Sequence, residues 1–358
     1  MNSRIFEKRR ALLRAGLGAC ATLVTGCGER KPAGRAAHGI YYFSGETMGT
    51  VYHAKFAVSR ADESLFAAAR GAVHAALDAV DRKMSTYRPD SELSRLNRHA
   101  SDAPFALSAE TLSVFATARQ VSEASGGAFD VTAGPLVNAW GFGPDKHHRV
   151  VPRGELAQLR RSVGYRALEI DYAGRRITKA DPRLYADLSG IAKGFGVDRA
   201  AQALEALGIG NYMIEAGGEV RARGTNDERR PWQIGIEQPE AWPRRPRYVV
   251  PLTDLAMATS GDYRIYFEQD GRRYSHEIDP STGNPITHRL TSVTVTAPQC
   301  ALADALATAL IVLGPERGYA LAERLGLGAY FIMRDPDGKL HDRQTPVFAA
   351  LNGWPQGR

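Results

Sequence analysis

A chain of 358 residues is long enough to bury a sizeable core, and its 44% hydrophobic and 24% charged residues are an ordinary globular balance. The formal charge of +7 is concentrated at the front, where Arg4, Lys8, Arg9, Arg10 and Arg14 against Glu7 put +4 into the first 26 residues and leave about +3 for the rest. No basic run interleaved with aromatics occurs in that remainder, so nothing in the composition supports a nucleic-acid partner.

The chain opens as a targeting segment. A basic stretch to Arg10 precedes a short apolar run, Ala11 to Gly26, that is interrupted by Arg14 and too short for a spanning helix. It ends in Val24-Thr25-Gly26-Cys27, which resembles the lipobox of bacterial lipoproteins. That resemblance implies cleavage before Cys27 and lipidation of its side chain; an ordinary cleaved signal with a chance cysteine is the alternative. Arg9-Arg10 resembles a twin-arginine leader without its flanking residues, so Sec and Tat export both stay open. With Cys20 discarded and Cys27 acylated, Cys300 alone remains, which excludes an intramolecular disulfide and a thiolate zinc site. The expected organisation is a signal peptide over 1–26, a lipidated cysteine and polar tether over 27–38, and one domain over 39–358, anchored on the periplasmic side of the cell inner membrane.

In the domain, strands are expected at Ile40–Phe43 and Thr50–Phe56, joined across Thr47-Met48-Gly49. Asp62–Met84 carries Leu65, Phe66, Ala69, Val73, Leu77 and Val80 at helical spacing. A polar loop from Met84 to Asn97 opens a short helix; its Tyr87 can stack on an aromatic ligand or serve as a plain surface residue. Ser108 caps a helix over Ala109–Ser125 that Gly126 stops. Gly127 to Gly143 mixes glycine and aromatics with Asp130, which fits a ligand-facing loop and equally a structural turn. A helix over Gly154–Ser162 and a hairpin of Leu168–Asp171 with Arg176–Thr178 follow.

Next comes a strand, Arg183–Ala186, a bend containing Asp187, Ser189, Gly190, Lys193, Gly194 and Gly196, and a helix over Val197–Leu207. Glycines at a strand-to-helix junction let a ligand approach the backbone, and the helix start suits a phosphate. The bend matches neither a Walker A loop nor Gly-x-Gly-x-x-Gly, and a glycine-rich connection with a solvated lysine accounts for it as well.

Strands at Tyr212–Ile214, Trp232–Gln238 and Tyr248–Pro251 flank Glu215-Ala216-Gly217-Gly218. A strand from Ala258 ends in a polar turn, and another from Tyr274 runs into a proline-closed turn. There His276 and Asp279, three apart, are able to orient a nucleophile or a phosphate, or to be structural. Thr291–Thr296 alternates as a strand. The apolar helix Cys300–Leu313 contains Asp304, costly to bury unpaired, with Thr308 one turn later. Their oxygens suit a hard cation such as Mg²⁺; a carboxylate capping a neighbouring loop is the alternative. A helix over Pro315–Leu325 and strands at Ala329–Met333 and Val347–Leu351 close the chain.

Seven blocks in this order resemble the ApbE family of flavin transferases: Thr47 to Thr50, Met84 to Tyr87, Phe129-Asp130-Val131 to Gly143, Asp187 to Gly194, Ala258 to Tyr263, His276 to Gly283, and Ala303-Asp304-Ala305 to Ala309. The resemblance runs from Glu46 to about Gly314. It implies an α+β fold of two joined lobes with flavin in the cleft between them. It implies Mg²⁺-dependent transfer of FMN from FAD to a threonine or serine hydroxyl of a partner protein, with release of AMP. The partners implied are flavoprotein subunits of membrane redox complexes of the sodium-pumping quinone reductase, Rnf and NosR types. Carried over, Met48, Tyr87, Ala128, Phe129, Asp130, Asp187, Lys193 and Ile278 would line the FAD site. Gly190, Asp304 and Thr308 would hold Mg²⁺, and His276 would sit by the reacting phosphate, with Asp279 as its orienting group. Glu215 departs from the asparagine common in the family. An FAD pyrophosphatase and a non-catalytic flavin-binding lipoprotein are the alternative functions.

Overall fold

The computed structural model describes residues 39–144, 146–240 and 245–351. The leader, Cys27 and the tether lie outside them. One antiparallel sheet organises the domain. Its eight strands are β1 (Gly39–Thr47), β2 (Thr50–Val58), β3 (Tyr212–Ala216), β4 (Glu219–Arg223), β5 (Leu255–Gly261), β6 (Leu290–Ala297), β7 (Gly328–Arg334) and β8 (Leu340–Gln344). Each pairs with the next in chain order, so the whole sheet is a meander into which longer segments are inserted. Two of its hairpins close on glycine. Met48 and Gly49 (φ 45° and 75°) turn β1 into β2, and Gly217 and Gly218 (φ 69° and 109°) turn β3 into β4. Both are two-residue turns with positive φ at each position, the geometry that matches strand twist.

Three helices cover one face. Helix α1 (Glu63–Met84) is capped by Asp62, whose carboxylate accepts from Leu65 N–H. Helix α2 (Ala192–Ala206) packs between α1 and α3 (Cys300–Arg324), and α3 lies on β5 and β6. Phe56, Val73, Leu77, Val197, Ala201, Leu204, Tyr212 and Ile214 form the core under α1 and α2. The opposite sheet face is covered in part by a ribbon of Trp232–Glu237 paired with Pro246–Leu252, which buries Trp232, Ile234 and Ile236 against Val220, Met257 and Ile332. The insertion between α1 and α2 builds the second lobe. It contains a helix over Ala109–Ala124, three short strands, and the segment 128–143. Its apolar side chains Leu93, Phe115, Phe129, Val131 and Leu188 merge with Leu306, Leu310 and Phe331 of the sheet lobe.

The α+β class and the two lobes agree with the sequence expectation, and four elements differ from it. Arg183–Ala186 is not a strand: Ala186 is held by Asn97, whose side-chain oxygen accepts its N–H and whose amide donates to its carbonyl. Helix α2 begins at Ala192 rather than Val197, which puts Lys193 in its first turn. Residues 346–350 are helical, not a strand, because Thr345 caps Phe348 N–H and Pro346 occupies the first turn. The closing strand is Leu340–Gln344 instead. The break expected between the last two helices is real: Gly314 (φ 81°, ψ −178°) interrupts α3 just before Pro315.

Candidate functional site

A cleft of about 2140 Å³ opens between the lobes. It is lined by Met48, Tyr87, Ala128, Phe129, Asp130, Asp187, Gly190, Lys193, His276, Ile278, Asp304 and Thr308 together. Local geometry explains why such distant residues meet. The Gly-Gly turn between β3 and β4 brings Glu219 to the first turn of α2, so that Lys193 Nζ stands 3.2 Å from Glu219 Oε1. The α2–α3 crossing brings Asp304 to the same lysine at 3.8 Å, and Asp304 Oδ2 accepts from Gly194 N–H at 3.0 Å. Asp198 fixes that crossing, since its two oxygens accept from the N–H groups of Cys300 and Ala301 at the start of α3. The glycine bend then faces α3: a Cβ placed on Gly190 would lie 3.3 Å from Thr308 Oγ1 and 3.2 Å from the Phe129 ring. Thr308 Oγ1 is also 3.3 Å from Ser260 Oγ on β5.

The electrostatics of this corner are unbalanced toward acid. Burial alone would lower the Lys193 ammonium, yet Asp304 and Glu219 outweigh it and hold the lysine protonated. Around it, burial pushes Asp304 up against the pull of Lys193. Glu219 is pushed up to about 8 by burial, with Lys193 opposing and Asp304 adding. Glu277 also rises to about 8, by burial and the nearby Asp262, and Asp262 to about 6 by burial. Glu219 Oε2 is buried with no hydrogen-bond partner among the described residues. Carboxylate, hydroxyl and carbonyl oxygens beside an unbonded buried carboxyl oxygen form a donor set suited to a hard cation. Among the described residues no cluster of three or more His, Cys, Asp or Glu side chains is arranged to hold a metal. A cation here would therefore rest on the mixed set Gly190, Asp304 and Thr308.

His276 follows a hairpin of Tyr266–Gln269 and Arg272–Ser275. Phe267 of that hairpin stacks on His148 and on Tyr274, with ring centroids 5.1 and 5.0 Å apart, and Tyr274 stacks on Trp140. His276 donates its backbone N–H to Ile265 O, and its Nδ1 is buried without a hydrogen-bond partner among the described residues. Burial pushes the ring down to about 4, so it is neutral at pH 7. One correction concerns Asp279. It is not among the residues lining the cleft, and its Oδ1 accepts from the N–H and hydroxyl of Ser281, closing its own turn. The acid beside His276 is Glu277, with Oε1 3.6 Å from Nε2.

Other expected residues have clear local roles. Both oxygens of Asp130 hold the loop, Oδ1 accepting from Thr132 N–H and hydroxyl and Oδ2 from Tyr165 N–H. Asp187 accepts from the N–H and hydroxyl of Ser189. Tyr87 is 56% exposed at the cleft rim. Glu215, left without a role by the sequence, accepts from Gly218 N–H and so clamps the turn that presents Glu219. Glu219, Glu277 and Ser260 are the cleft residues that reading by type and spacing missed. The alternation Glu219, Arg221, Arg223 against Val220, Ala222 shows that these polar groups share a face. Nothing in that alternation shows that a helix buries it.

Comparison with known proteins agrees with this geometry. A family profile described as the ApbE family matches residues 48–331. The chain is 46% identical over 327 residues to a protein of Vibrio cholerae named FAD:protein FMN transferase, covering 91% of this chain and 96% of that one. It is 46% identical over 304 residues to a protein of the same name from Haemophilus influenzae, covering 84% and 88%. Among solved structures, the flavin transferase ApbE from Vibrio cholerae superposes with a TM-score of 0.79 at 44% identity, over 87% of this chain and 99% of that chain.

Proposed function

The chain belongs to the ApbE family and is an FAD:protein FMN transferase, and we propose that it moves FMN from FAD onto a threonine or serine hydroxyl of a partner flavoprotein, releasing AMP. The observation that carries this finer reading is the convergence of Gly190, Lys193, Asp304 and Thr308 with a neutral His276 in one cleft. The acceptor oxygen attacks the flavin-side phosphorus of the FAD diphosphate. A phosphoester bond forms there, and the bond from that phosphorus to the bridging oxygen breaks. The bridging oxygen leaves with AMP. The hydroxyl proton goes to Nδ1 of His276, which is buried, unbonded among the described residues and uncharged at pH 7. Glu277 lies 3.6 Å from Nε2, and the positive charge of the imidazolium that results favours ionisation of its burial-raised carboxyl. Lys193, held charged by Asp304 and Glu219, supplies positive potential to the phosphates. Mg²⁺ held by Gly190, Asp304 and Thr308 would neutralise charge on the diphosphate and on departing AMP. The acceptors proposed are subunits of membrane redox complexes of the quinone reductase, Rnf or NosR type. The location proposed, from the Val24–Cys27 pattern, is a lipid anchor at Cys27 on the periplasmic side of the inner membrane.

The test is incubation with FAD, Mg²⁺ and a fragment bearing a Ser/Thr-Gly-Ala-Thr acceptor, followed by mass measurement. Addition of one FMN per fragment with matching AMP is expected. AMP released equally fast without the fragment would replace the transferase by a Mg²⁺-dependent FAD pyrophosphatase. That second reading draws on the same unbonded His276 Nδ1, which accepts a proton from water as readily as from a side chain. A flavin-storing lipoprotein would bind FAD tightly, release no AMP, and be unaffected by Asp304→Ala.

A further inference from the structure

The cleft has a second arm that the reaction leaves unused. Every residue of the ribbon strand Trp232–Glu237 lines it. On one side this strand pairs with Pro246–Leu252, and its other edge pairs with no strand among the described residues. Trp232, Ile234 and Ile236 are buried, while Gln233 and Gly235 are exposed. Pro251 stands opposite Gln233 and has no N–H to give. Gln233–Pro251 and, two residues on, Gly235–Val249 are therefore the wide pairs of the ladder. It follows that the N–H and C=O groups of Gln233 and Gly235 point away from the partner strand. The partner strand carries Pro246 and Pro251, which guard against strand addition on its side. No proline interrupts 232–237.

This edge ends at the reacting centre. Glu237 pairs with Arg264, and the next residue, Ile265, accepts the backbone N–H of His276 at 3.1 Å. Ile265 is 52% exposed and lines the same cleft, an apolar side chain left on the rim beside the catalytic imidazole. A nucleotide has no use for donors and acceptors repeating every second residue. An extended polypeptide matches them, with small pockets between alternate side chains.

We propose that Trp232–Glu237 is the docking edge for the acceptor polypeptide, which adds to it as an extended strand and so carries its hydroxyl residue to His276. The proposal rests on the transferase reading, because only a protein acceptor brings a backbone into the cleft. The full chain, FAD and Mg²⁺ are assayed with the Ser/Thr-Gly-Ala-Thr fragment and with a series in which one backbone amide at a time is N-methylated. The acceptor KM rises about tenfold at alternate residues on one side of the hydroxyl residue and stays level at those between, since each lost hydrogen bond is worth about a factor of ten. Gly235→Pro, which removes one outward donor, raises the acceptor KM about tenfold and more than it changes the KM for FAD. Val249→Pro removes a donor from the ribbon's opposite edge and leaves both values unchanged. An N-methyl series without a two-residue period, or equal effects of the two proline variants, overturns the docking edge and leaves the transferase standing. If the unaltered chain modifies no fragment at all, the transferase reading falls and the docking edge falls with it.

Discussion

Among the described residues Lys193 is the ammonium that faces both Glu219 and Asp304, and removing it tests what that corner is for. Lys193→Met leaves two buried acids without their counter-charge. A cost of up to about 3 kcal/mol is expected, the lower end for breaking a buried pair, because the lysine side chain keeps 28% of its surface exposed. A urea midpoint unchanged from the parent chain would mean that the acids simply stay protonated. A second expectation concerns Glu277, whose carboxyl is raised from 4.5 to about 8 in the folded protein. Between those values the folded state holds more protons than the unfolded one. Its contribution is complete below about pH 4.5 and is lost as pH rises through about 8. Thermal melts of the ligand-free protein across this range are expected to fall with pH, and Glu277→Gln to flatten the slope. Equal slopes in the two proteins would remove Glu277 as its source. His276 has the opposite sign. Lowered from 6.5 to about 4, it stabilises above pH 6.5, and that contribution is lost as pH falls through 4. The types His276, Lys193 and Asp304 were legible in sequence because each is chemically conspicuous where it stands. Glu219, at the start of a strand, and Glu277, just past the end of one, were not, since an acid in either place is unremarkable until its neighbours are known.

At the scale of elements, the site depends on how closely α2 and α3 cross. A Cβ on Gly194 would lie 2.4 Å from Cys300 O and 2.8 Å from Ala301 N, both backbone atoms that cannot swing aside. Gly194→Ala must therefore separate the helices and pull Asp304 from the N–H it accepts. A loss of about 1–3 kcal/mol is expected from overpacking, together with weaker FAD binding. Gly208→Ala is the matched contrast. Nothing lies within 4 Å of a Cβ there, and only the φ of 78° is strained, so roughly 1 kcal/mol and unchanged FAD affinity are expected. Equal loss of FAD affinity in both variants would show that the crossing does not shape the cleft. The helices α1 and α3 were readable from apolar spacing, and the Gly314 break from Gly-Pro. The start of α2 lies earlier than expected because Gly194 and Gly196 are poor helix formers whose helical state comes from Asp304 accepting Gly194 N–H and from packing against α3. The strand expected at 347–351 failed for the same kind of reason. Val347 and Phe348 suit a strand, but Thr345 and Pro346 decide the local geometry first.

For the whole molecule, the question is whether the lobes fold as one body. The core of the second lobe runs without a break into α3, β6 and β7, and Met48 packs against both this core and the one under α1 and α2. Met48 sits at φ 45° in the β1–β2 turn with its methyl 2.8 Å from where a Gly196 Cβ would be. The cleft thus has walls from both cores, Phe129 and Val131 on one side and the α2 start on the other. A ligand held by both walls must stabilise them together. At a free concentration one hundredfold above its Kd, FAD adds about 2.7 kcal/mol, roughly 5 °C for a chain of this size. One calorimetric transition is expected, moving as a unit when FAD is added. Two transitions, of which FAD shifts one, would mean that the lobes unfold independently. In that case the cleft walls would be set by ligand binding rather than by the shared core.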